Sequence, residues 1–224
     1  MSGFLEPVAL RGDRWVSLEP LTAGHAAEIA AAAEEVRELW FTSAPTPDTA
    51  QEWIDGQLAV QHPDTGLTFV VRDGDGRVVG SSSYCHADPP NRRVEIGYTW
   101  YGSSVRRTGV NTECKLLMLS HAFDELECVA VEFRTHFFNS TSRAAIERLG
   151  AKLDGVLRSH QLSADGSRRD TVVYSILDIE WPAVRNNLRF RLARDYQPPP
   201  SANRATLTAD FASPDSQSGA TSTS

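Results

Sequence analysis

The chain has 224 residues, of which 41% are hydrophobic and 23% charged, as is ordinary for a soluble globular protein with one sizeable domain. The formal net charge of −7 argues against broad binding to nucleic acid or to an anionic membrane, although a local basic pocket is compatible with it. No apolar run is long enough to span a bilayer, and the N-terminus does not resemble a secretory signal. The three cysteines are odd in number and lie in apolar runs, so we expect reduced core residues of a cytoplasmic protein: Cys85, Cys114 and Cys128.

The N-terminal third is predicted to hold one strand and two helices. The strand covers residues 14–21. A helix over residues 22–39 begins at Thr22, a favourable cap, and a second helix over residues 46–61 follows a proline-rich entry.

Three strands are predicted next. Those over residues 67–72 and 78–85 flank Asp73-Gly74-Asp75-Gly76, and Asp-Gly pairs favour a hairpin because they accept positive φ. The third strand, residues 93–101, alternates in polarity. One face is predicted to carry Val94, Ile96, Tyr98 and Trp100, and the other Glu95, Gly97 and Thr99.

The segment after Tyr101 predicts a long helix from Val110, apolar over most of its circumference, which should lie against a sheet. Its two stripes are Val110, Cys114, Leu117 and His121, and Leu116, Leu119, Phe123 and Leu126. A strand over residues 128–136 and a helix over residues 139–150 follow, the helix capped by Asn139 and ended by Gly150.

The C-terminal part predicts a hairpin over residues 151–162 and 171–178, then a helix over residues 180–192 with Pro182 in its first turn. Residues 197–224 are rich in Pro, Ser, Thr and Ala and carry few large apolar side chains, so we expect them to be disordered. A single domain over residues 1–196 is therefore predicted.

The segment Arg106-Arg107-Thr108-Gly109-Val110-Asn111 lies between a strand end and a helix start. Such a junction presents unpaired backbone N–H groups, the positive end of the helix dipole and a glycine that permits close approach, which together favour a phosphate. An ordinary strand-to-helix turn with exposed arginines fits the segment equally well. It matches neither the G-x-G-x-x-G fingerprint nor the P-loop.

The order of elements resembles the GNAT acetyltransferase superfamily, whose pyrophosphate motif is Q/R-x-x-G-x-G/A. Arg106, Gly109 and Asn111 fall on its three positions, with Asn111 departing from the usual Gly or Ala. The stretches VEIGYTWY, GVNTEC, FFNSTSRAAIERLGAKLDG and DIEWPAV are similar to the RimJ/RimL branch, which acetylates protein N-terminal amines and small amines. The resemblance covers residues 8 to 192 or so.

The resemblance implies an α+β fold with a mostly antiparallel, twisted sheet of about seven strands flanked by helices. A V-shaped split is expected between the fourth and fifth strands, 93–101 and 128–136. Acetyl-CoA would enter that split as co-substrate. Its pantetheine would follow Tyr98 and Trp100, and its pyrophosphate would lie on the loop residues Arg106, Arg107, Thr108, Gly109, Val110, Asn111 and Thr112.

Acetyl transfer needs a neutral amine and a group or water relay that takes its proton. Glu95 precedes the coenzyme loop, where the family often places a carboxylate; a salt-bridged strand residue is the alternative. His136 is a second candidate base, with a bond to loop backbone as its alternative. No metal is predicted, because the histidines show no ligand spacing.

The thiolate that leaves needs a proton or a hydrogen bond. Many family members use a tyrosine seven residues after the Asn of the late helix, and Ile146 occupies that position. Ser142 would instead hydrogen-bond the coenzyme sulfur, or is a small residue tolerated on a buried face. Asn139 is expected both to cap the helix and, by resemblance, to contact the pantetheine.

Two further features are predicted to be mainly structural. Glu113 stands one turn into the coenzyme helix, where a carboxylate facing the pyrophosphate would repel it, so we place it away from the phosphates. The early aromatic cluster would pack in the core or, less favoured, shape the acceptor pocket: Trp40, Phe41 and Trp53.

The sequence thus predicts a cytoplasmic N-acetyltransferase that transfers acetyl directly to a protein N-terminus or a small-molecule amine. A catalytically silent coenzyme A-binding regulator is the alternative from another class. No nucleic-acid or membrane partner is expected, and the antiparallel edges make a homodimer plausible.

Overall fold

A computed structural model of the chain describes residues 3–36, 44–163 and 165–194. Trp40, Phe41, the end of the first predicted helix and the predicted disordered tail, 197–224, lie outside these ranges. Within them, no helix is long and apolar enough to cross a membrane. The three cysteines are buried and unpaired, as predicted.

One eight-stranded sheet forms the centre of the described chain, in the order β1-β2-β3-β4-β5-β6-β8-β7. The strands are β1 (Leu10–Arg11), β2 (Val16–Pro20), β3 (Leu67–Asp73), β4 (Val78–Asp88), β5 (Arg93–Tyr101), β6 (Ala130–His136), β7 (Lys152–Leu162) and β8 (Arg168–Leu177). The seven predicted strands are all present, and the two-residue β1 is added. Neighbours pair antiparallel except for β5 and β6, which are parallel, so the predicted mostly antiparallel sheet is confirmed.

Five α-helices flank this sheet in the described chain. They are α1 (Ala26–Ala33), α2 (Ala50–Val60), α3 (Val110–Ser120), α4 (Ser140–Leu149) and α5 (Trp181–Arg194). A short π-helical segment, His121–Glu125, continues α3. The predicted caps are present, since Asn139 Oδ1 accepts a hydrogen bond from the Ser142 N–H and Gly150 ends α4 at a φ of +107°.

Two hydrophobic clusters lie on opposite faces of the sheet. The larger one joins β2 to β8 with α3, α4 and α5, and includes Leu18, Val94, Cys114, Ile146 and Leu188. The smaller one joins α1 and α2 to β3, β4 and β5, and includes Ile29, Ile54, Val70, Val78 and Trp100. The helices α1 and α2 therefore cover one face only at the β3–β5 part of the sheet.

The predicted split lies between β5 and β6, the fourth and fifth of the predicted strands. These strands pair only where residues 93–95 meet residues 130–132. Beyond that point β5 continues to Tyr101 without a partner on the β6 side, while β6 continues along β8. The result is an opening in the sheet that leads toward the start of α3.

A β-bulge in β5 contradicts part of the predicted alternation. Ser81 pairs with Trp100 and Ser83 with Gly97, so Ser82 lies opposite both Tyr98 and Thr99. Tyr98 adopts the left-handed conformation, with a φ of +49°. The extra residue reverses the alternation. Trp100 therefore packs with α1 and α2, not on the Val94–Ile96 face.

Candidate active site

The predicted anion site lies where β5 gives way to α3. A single 3-10 turn, Ser103–Val105, connects Tyr101 to the loop, and α3 begins at Val110. Among the described residues, none accepts a hydrogen bond from the backbone N–H groups of Arg107, Thr108, Gly109, Asn111 and Thr112. Unpaired donors at a helix N-terminus are what a phosphate group needs, so this segment fits a pyrophosphate.

The side chains of the loop divide into two kinds. Arg106 and Arg107 are exposed, and the left-handed φ of +62° at Arg107 turns the chain into the helix. The Thr108 hydroxyl donates to Val105 O at 2.6 Å and accepts from the Val110 N–H at 3.3 Å. Thr108 therefore shapes the loop with its hydroxyl, and the arginines are available as added positive charge.

Gly109 is required by packing, which is a reason additional to the close approach of a ligand expected from the sequence. Its φ of −70° is open to any residue. A Cβ there would instead overlap the indole of Trp15, which lies against the glycine. Substituting Gly109 would therefore disturb the core beside Trp15 together with any ligand site.

Glu113 holds α3 to the sheet, as predicted for a structural residue. It is buried, and its Oε2 accepts from the backbone N–H groups of Trp15 and Val16, at 2.5 and 2.7 Å. The carboxylate thus caps the start of β2 and does not face the anion site.

Glu95 lies on β5 at the point where the split begins. Its side chain is 8% exposed, and its Oε2 lies 2.8 Å from His86 Nδ1 and 3.4 Å from Arg134 Nε. The hydrogen bond to Glu95 raises the pKa of His86 above its ordinary value. Glu95 is therefore a buried carboxylate with one exposed and one half-buried partner, which fits a proton-handling group and also the predicted salt-bridge alternative.

The Glu95 contacts continue into a charged network on the sheet face away from α3. Glu132 binds both Arg93 and Arg134. Burial opposes its ionisation, but the hydrogen bonds from both arginines outweigh burial and hold the pKa of Glu132 below the ordinary range. This network borders a cavity of about 380 Å³. The walls of the cavity are Arg93, Glu132, Arg134, Asp154, Gly155, Leu157, Val173, Ser175 and Leu177.

His136 is buried at the end of β6, on the other side of the split. Its Nδ1 accepts a hydrogen bond from the Phe138 N–H at 3.0 Å, and its ring stacks on Phe138. Burial, helped by Arg169, lowers its pKa. A ring nitrogen that already accepts a backbone N–H is a poor proton acceptor, so this geometry favours the loop-binding alternative over the role of base.

Asn139 and Ser142 lie in the first turn of α4, beyond His136. The Asn139 Oδ1 is used as the helix cap. The Ser142 hydroxyl has no hydrogen-bond partner among the described residues, and its side chain is half-buried. Ile146 is buried in the core. Ser142 thus keeps a hydroxyl available to a ligand, whereas the position of the family tyrosine is part of the packing.

Tyr98 and Trp100 do not share a surface, although both were predicted to line the pantetheine. Tyr98 is 50% exposed at the bulge. Trp100 is buried edge-on against Trp53, with ring centres 5.8 Å apart. Its side chain therefore belongs to the cluster under α1 and α2. Trp53 takes the predicted packing role.

Sequence reasoning missed three charged residues near the split: His86, Arg134 and Lys115. His86 sits at a second β-bulge with a φ of +49°, which brings its ring to Glu95. Lys115 is buried on α3 and donates to two hydroxyl groups. A lysine within the otherwise apolar run Cys114–Leu119 was a usable signal, because buried lysines need partners.

One group in the described chain could in principle coordinate a metal ion: Cys85, His86 and Glu95. Burial, reinforced by Glu95, raises the pKa of the Cys85 thiol well above its ordinary value, which disfavours the thiolate that binds metals. The Arg134 guanidinium lies against the same Glu95 oxygen. These charges favour an ion-pair network at this place.

The comparisons with known proteins agree with this geometry. A model of the acetyltransferase (GNAT) domain matches residues 16–152. The Bacillus subtilis protein YdaF, named as a ribosomal N-acetyltransferase, is 32% identical over 172 residues, which is 73% of this chain and 90% of that protein. This chain therefore belongs to the GNAT acetyltransferase family, a family of acyltransferases.

Solved structures show the same fold. A GCN5-related N-acetyltransferase from Brucella melitensis is 32% identical, with a TM-score of 0.73, over 84% of this chain and 86% of its own. Mycobacterium smegmatis RimJ, solved with CoA-disulfide, is 22% identical, with a TM-score of 0.69, over 85% of this chain and 97% of its own. At that identity RimJ supports the fold alone. The predicted GNAT-like fold and family are confirmed.

Proposed function

We propose that this protein is an acetyl-CoA-dependent N-acetyltransferase that transfers acetyl directly to a primary amine. The observation that carries the proposal is the split between β5 and β6, which leads to five unpaired backbone N–H groups at the start of α3. A pyrophosphate fits those donors. Family membership supplies the class of reaction.

The coenzyme would be held by the loop and by both walls of the split. The five unpaired N–H groups of the loop would bind the pyrophosphate, with Arg106 and Arg107 as added charge. The unpaired part of β5 from Ile96 to Tyr101 would border the pantetheine. Across the split, the Ser142 hydroxyl is the available donor toward the sulfur.

The transfer requires a new N–C bond at the thioester carbonyl and loss of the C–S bond, with one proton leaving the amine and one reaching the departing thiolate. Glu95 is the proposed acceptor of the amine proton, directly or through water. His86 Nδ1 and Arg134 Nε both lie against Glu95 Oε2 and would orient the carboxylate toward the amine. Ser142 would stabilise the thiolate by a hydrogen bond until the thiolate takes a proton from water.

The acceptor is proposed to bind on the uncovered sheet face, beside Glu95 and the charged cavity. That cavity offers carboxylates of Glu132 and Asp154 and guanidinium groups of Arg93 and Arg134. Such a mixture suits an acceptor that carries both an amine and a polar backbone or carboxyl group. A protein N-terminus and a small amine are both compatible with this mixture. The name of YdaF, a ribosomal N-acetyltransferase, favours the N-terminus of a ribosomal protein.

The purified full-length chain tests this function in two steps. Calorimetry with acetyl-CoA measures the dissociation constant, and a thiol-release assay measures turnover against N-terminal peptides, polyamines and amino acids, with acetyl-CoA alone as the control. Turnover above that control with at least one amine supports the proposal. Binding without turnover across the panel would favour the silent regulator, and absence of binding would overturn both.

A further inference from the structure

Lys115 is a buried lysine that has hydroxyl partners and no carboxylate partner among the described residues. It lies in the second turn of α3 with 5% of its surface exposed. Its Nζ is 2.7 Å from Ser82 Oγ and 2.7 Å from Thr99 Oγ1. No carboxylate forms an ion pair with it among the described residues. A buried amino group is costly unless it has acceptors, so its placement depends on these two hydroxyls.

The two hydroxyls belong to the bulge in β5. Ser82, on β4, is the residue that faces both Tyr98 and Thr99. Ser82 Oγ and Thr99 Oγ1 are 2.8 Å apart, so the amino group and the two oxygens form a closed triangle. This triangle joins α3, β4 and β5 at the bulge where β5 has one residue more than β4.

The bulge decides which side chain faces Lys115. In a regular strand, Tyr98 would follow Val94 and Ile96 onto the α3 face, and Thr99 would point away. The aromatic ring would then occupy the place of the amino group, and Lys115 would lose one acceptor. With the bulge, Thr99 reaches Lys115 and Tyr98 takes a φ of +49° beside the split. Lys115 and the bulged register therefore require each other.

The position of Lys115 on α3 gives this pairing a functional meaning. The N-terminus of the same helix carries the proposed pyrophosphate site, and Lys115 follows Val110 by five residues, about 8 Å along the helix axis. One rigid helix thus fixes both the loop and the bulge. Thr99 is exposed although its hydroxyl contacts a buried group, so the triangle reaches the wall of the split.

We propose that Lys115 is a positioning residue that selects the bulged register of β5 and so sets the backbone at Tyr98 and Thr99 for the acyl end of the coenzyme. This inference rests on the proposed acetyl-CoA site. The start of α3 would bind the pyrophosphate. The triangle of Lys115, Ser82 and Thr99 would hold the β5 backbone that contacts the acyl group.

The test compares the full-length wild type with Lys115→Met, which keeps the length of the side chain and removes its hydrogen bonds. Calorimetry measures the affinity for acetyl-CoA and for adenosine 3′-phosphate 5′-diphosphate, the nucleotide half of the coenzyme. We expect acetyl-CoA to bind Lys115→Met at least about tenfold more weakly, while the nucleotide half changes less than about twofold. Equal loss for both ligands, or no loss for acetyl-CoA, would overturn the proposal.

Thr99→Val and Thr99→Ser make the test independent of the folding of Lys115→Met. Valine keeps the shape without the acceptor and should reproduce the selective loss, whereas serine keeps the hydroxyl and should bind acetyl-CoA more tightly than the valine variant does. In Lys115→Met/Thr99→Val the two apolar groups face each other, so the thermal midpoint should recover while the acetyl-CoA affinity stays low. Recovery of both together would show a merely structural role. A wild type that binds neither ligand would instead refute the proposed function.

Discussion

The two faces of the sheet differ in what covers them. On the face toward α3, α4 and α5, one apolar cluster runs from β2 to β8. On the opposite face, α1 and α2 cover only the β3–β5 part, and the rest carries the charged network around Glu95, Glu132 and Arg134. Among the described residues, the ion pairs around Glu95 lie on the part of the sheet that α1 and α2 leave uncovered. Strand β5 contributes apolar side chains to both faces, because its bulge places Trp100 in the cluster under α1 and α2.

The largest effect should come from a pair of buried glutamates, one on each side of this division. Glu95→Gln removes the proposed base, and we expect kcat to fall about 10²- to 10⁴-fold with little change in acetyl-CoA affinity. Glu113→Gln weakens a buried bond to β2 and should cost about 1–3 kcal/mol of stability while kcat of the folded protein stays within a few-fold.

Turnover assays and denaturant unfolding of both variants check this pair. The proposed catalytic role of Glu95 is contradicted if Glu95→Gln keeps full turnover. The structural role of Glu113 is contradicted if Glu113→Gln loses turnover without losing stability.

A second prediction separates ligand binding from helix stability at the α3 N-terminus. Asn111→Asp is nearly isosteric and places a negative charge among the unpaired N–H groups. We expect acetyl-CoA to bind about tenfold more weakly, because the carboxylate repels the pyrophosphate. The same charge should leave stability unchanged or raise it by about 0.5 kcal/mol, since it favours the helix dipole.

Calorimetry and thermal unfolding measure the two effects of Asn111→Asp, and the neutral Asn111→Gln is its matched control. Equal binding by the Asp and Gln variants would place the pyrophosphate elsewhere. Asn111 is a better probe of this site than Gly109, because a side chain at Gly109 would overlap Trp15.

The smallest effect is expected from His86. The hydrogen bond to Glu95 raises the pKa of His86 in the folded protein above the ordinary histidine pKa of 6.5. The pair therefore contributes its full stabilisation at a pH below 6.5. That stabilisation is lost as the pH rises through the raised pKa of the folded protein. The thermal midpoint of the wild type should therefore exceed that of His86→Gln at pH 5.5 by more than at pH 9. A difference that does not shrink with pH would show that His86 stays neutral beside Glu95.

Much of this architecture was predictable because it rests on local patterns. The seven main strands, the Asn139 cap and the split followed from periodicity, capping chemistry and the family motif. The loop before α3 has exposed arginines and unpaired backbone N–H groups, as the sequence predicts for residues 106–112. Glu113 lies away from the loop, as predicted, because its carboxylate accepts the backbone N–H groups of Trp15 and Val16.

The rest depended on contacts that periodicity does not encode. The alternation of polar and apolar residues along a strand does not reveal one inserted residue, so Trp100 was assigned to the wrong face of β5. The packing reason for Gly109 lies in Trp15, which is distant in sequence. His86 and Arg134 meet Glu95 only because three strands align. Lys115 was recognisable as unusual, but its partners were not.

The short joint between β5 and β6 has a consequence for how the chain folds. Strands β1–β5 and β6–β8 each form an antiparallel unit, and the units meet in the sheet along three residue pairs separated by more than thirty residues of chain. The hairpin pairings β3–β4, β4–β5 and β7–β8 are much closer in sequence than the joint, so they should form first. The joint should close after these hairpins. Slow refolding phases should therefore respond to substitutions at residues 93–95 and 130–132 more than to substitutions within either hairpin.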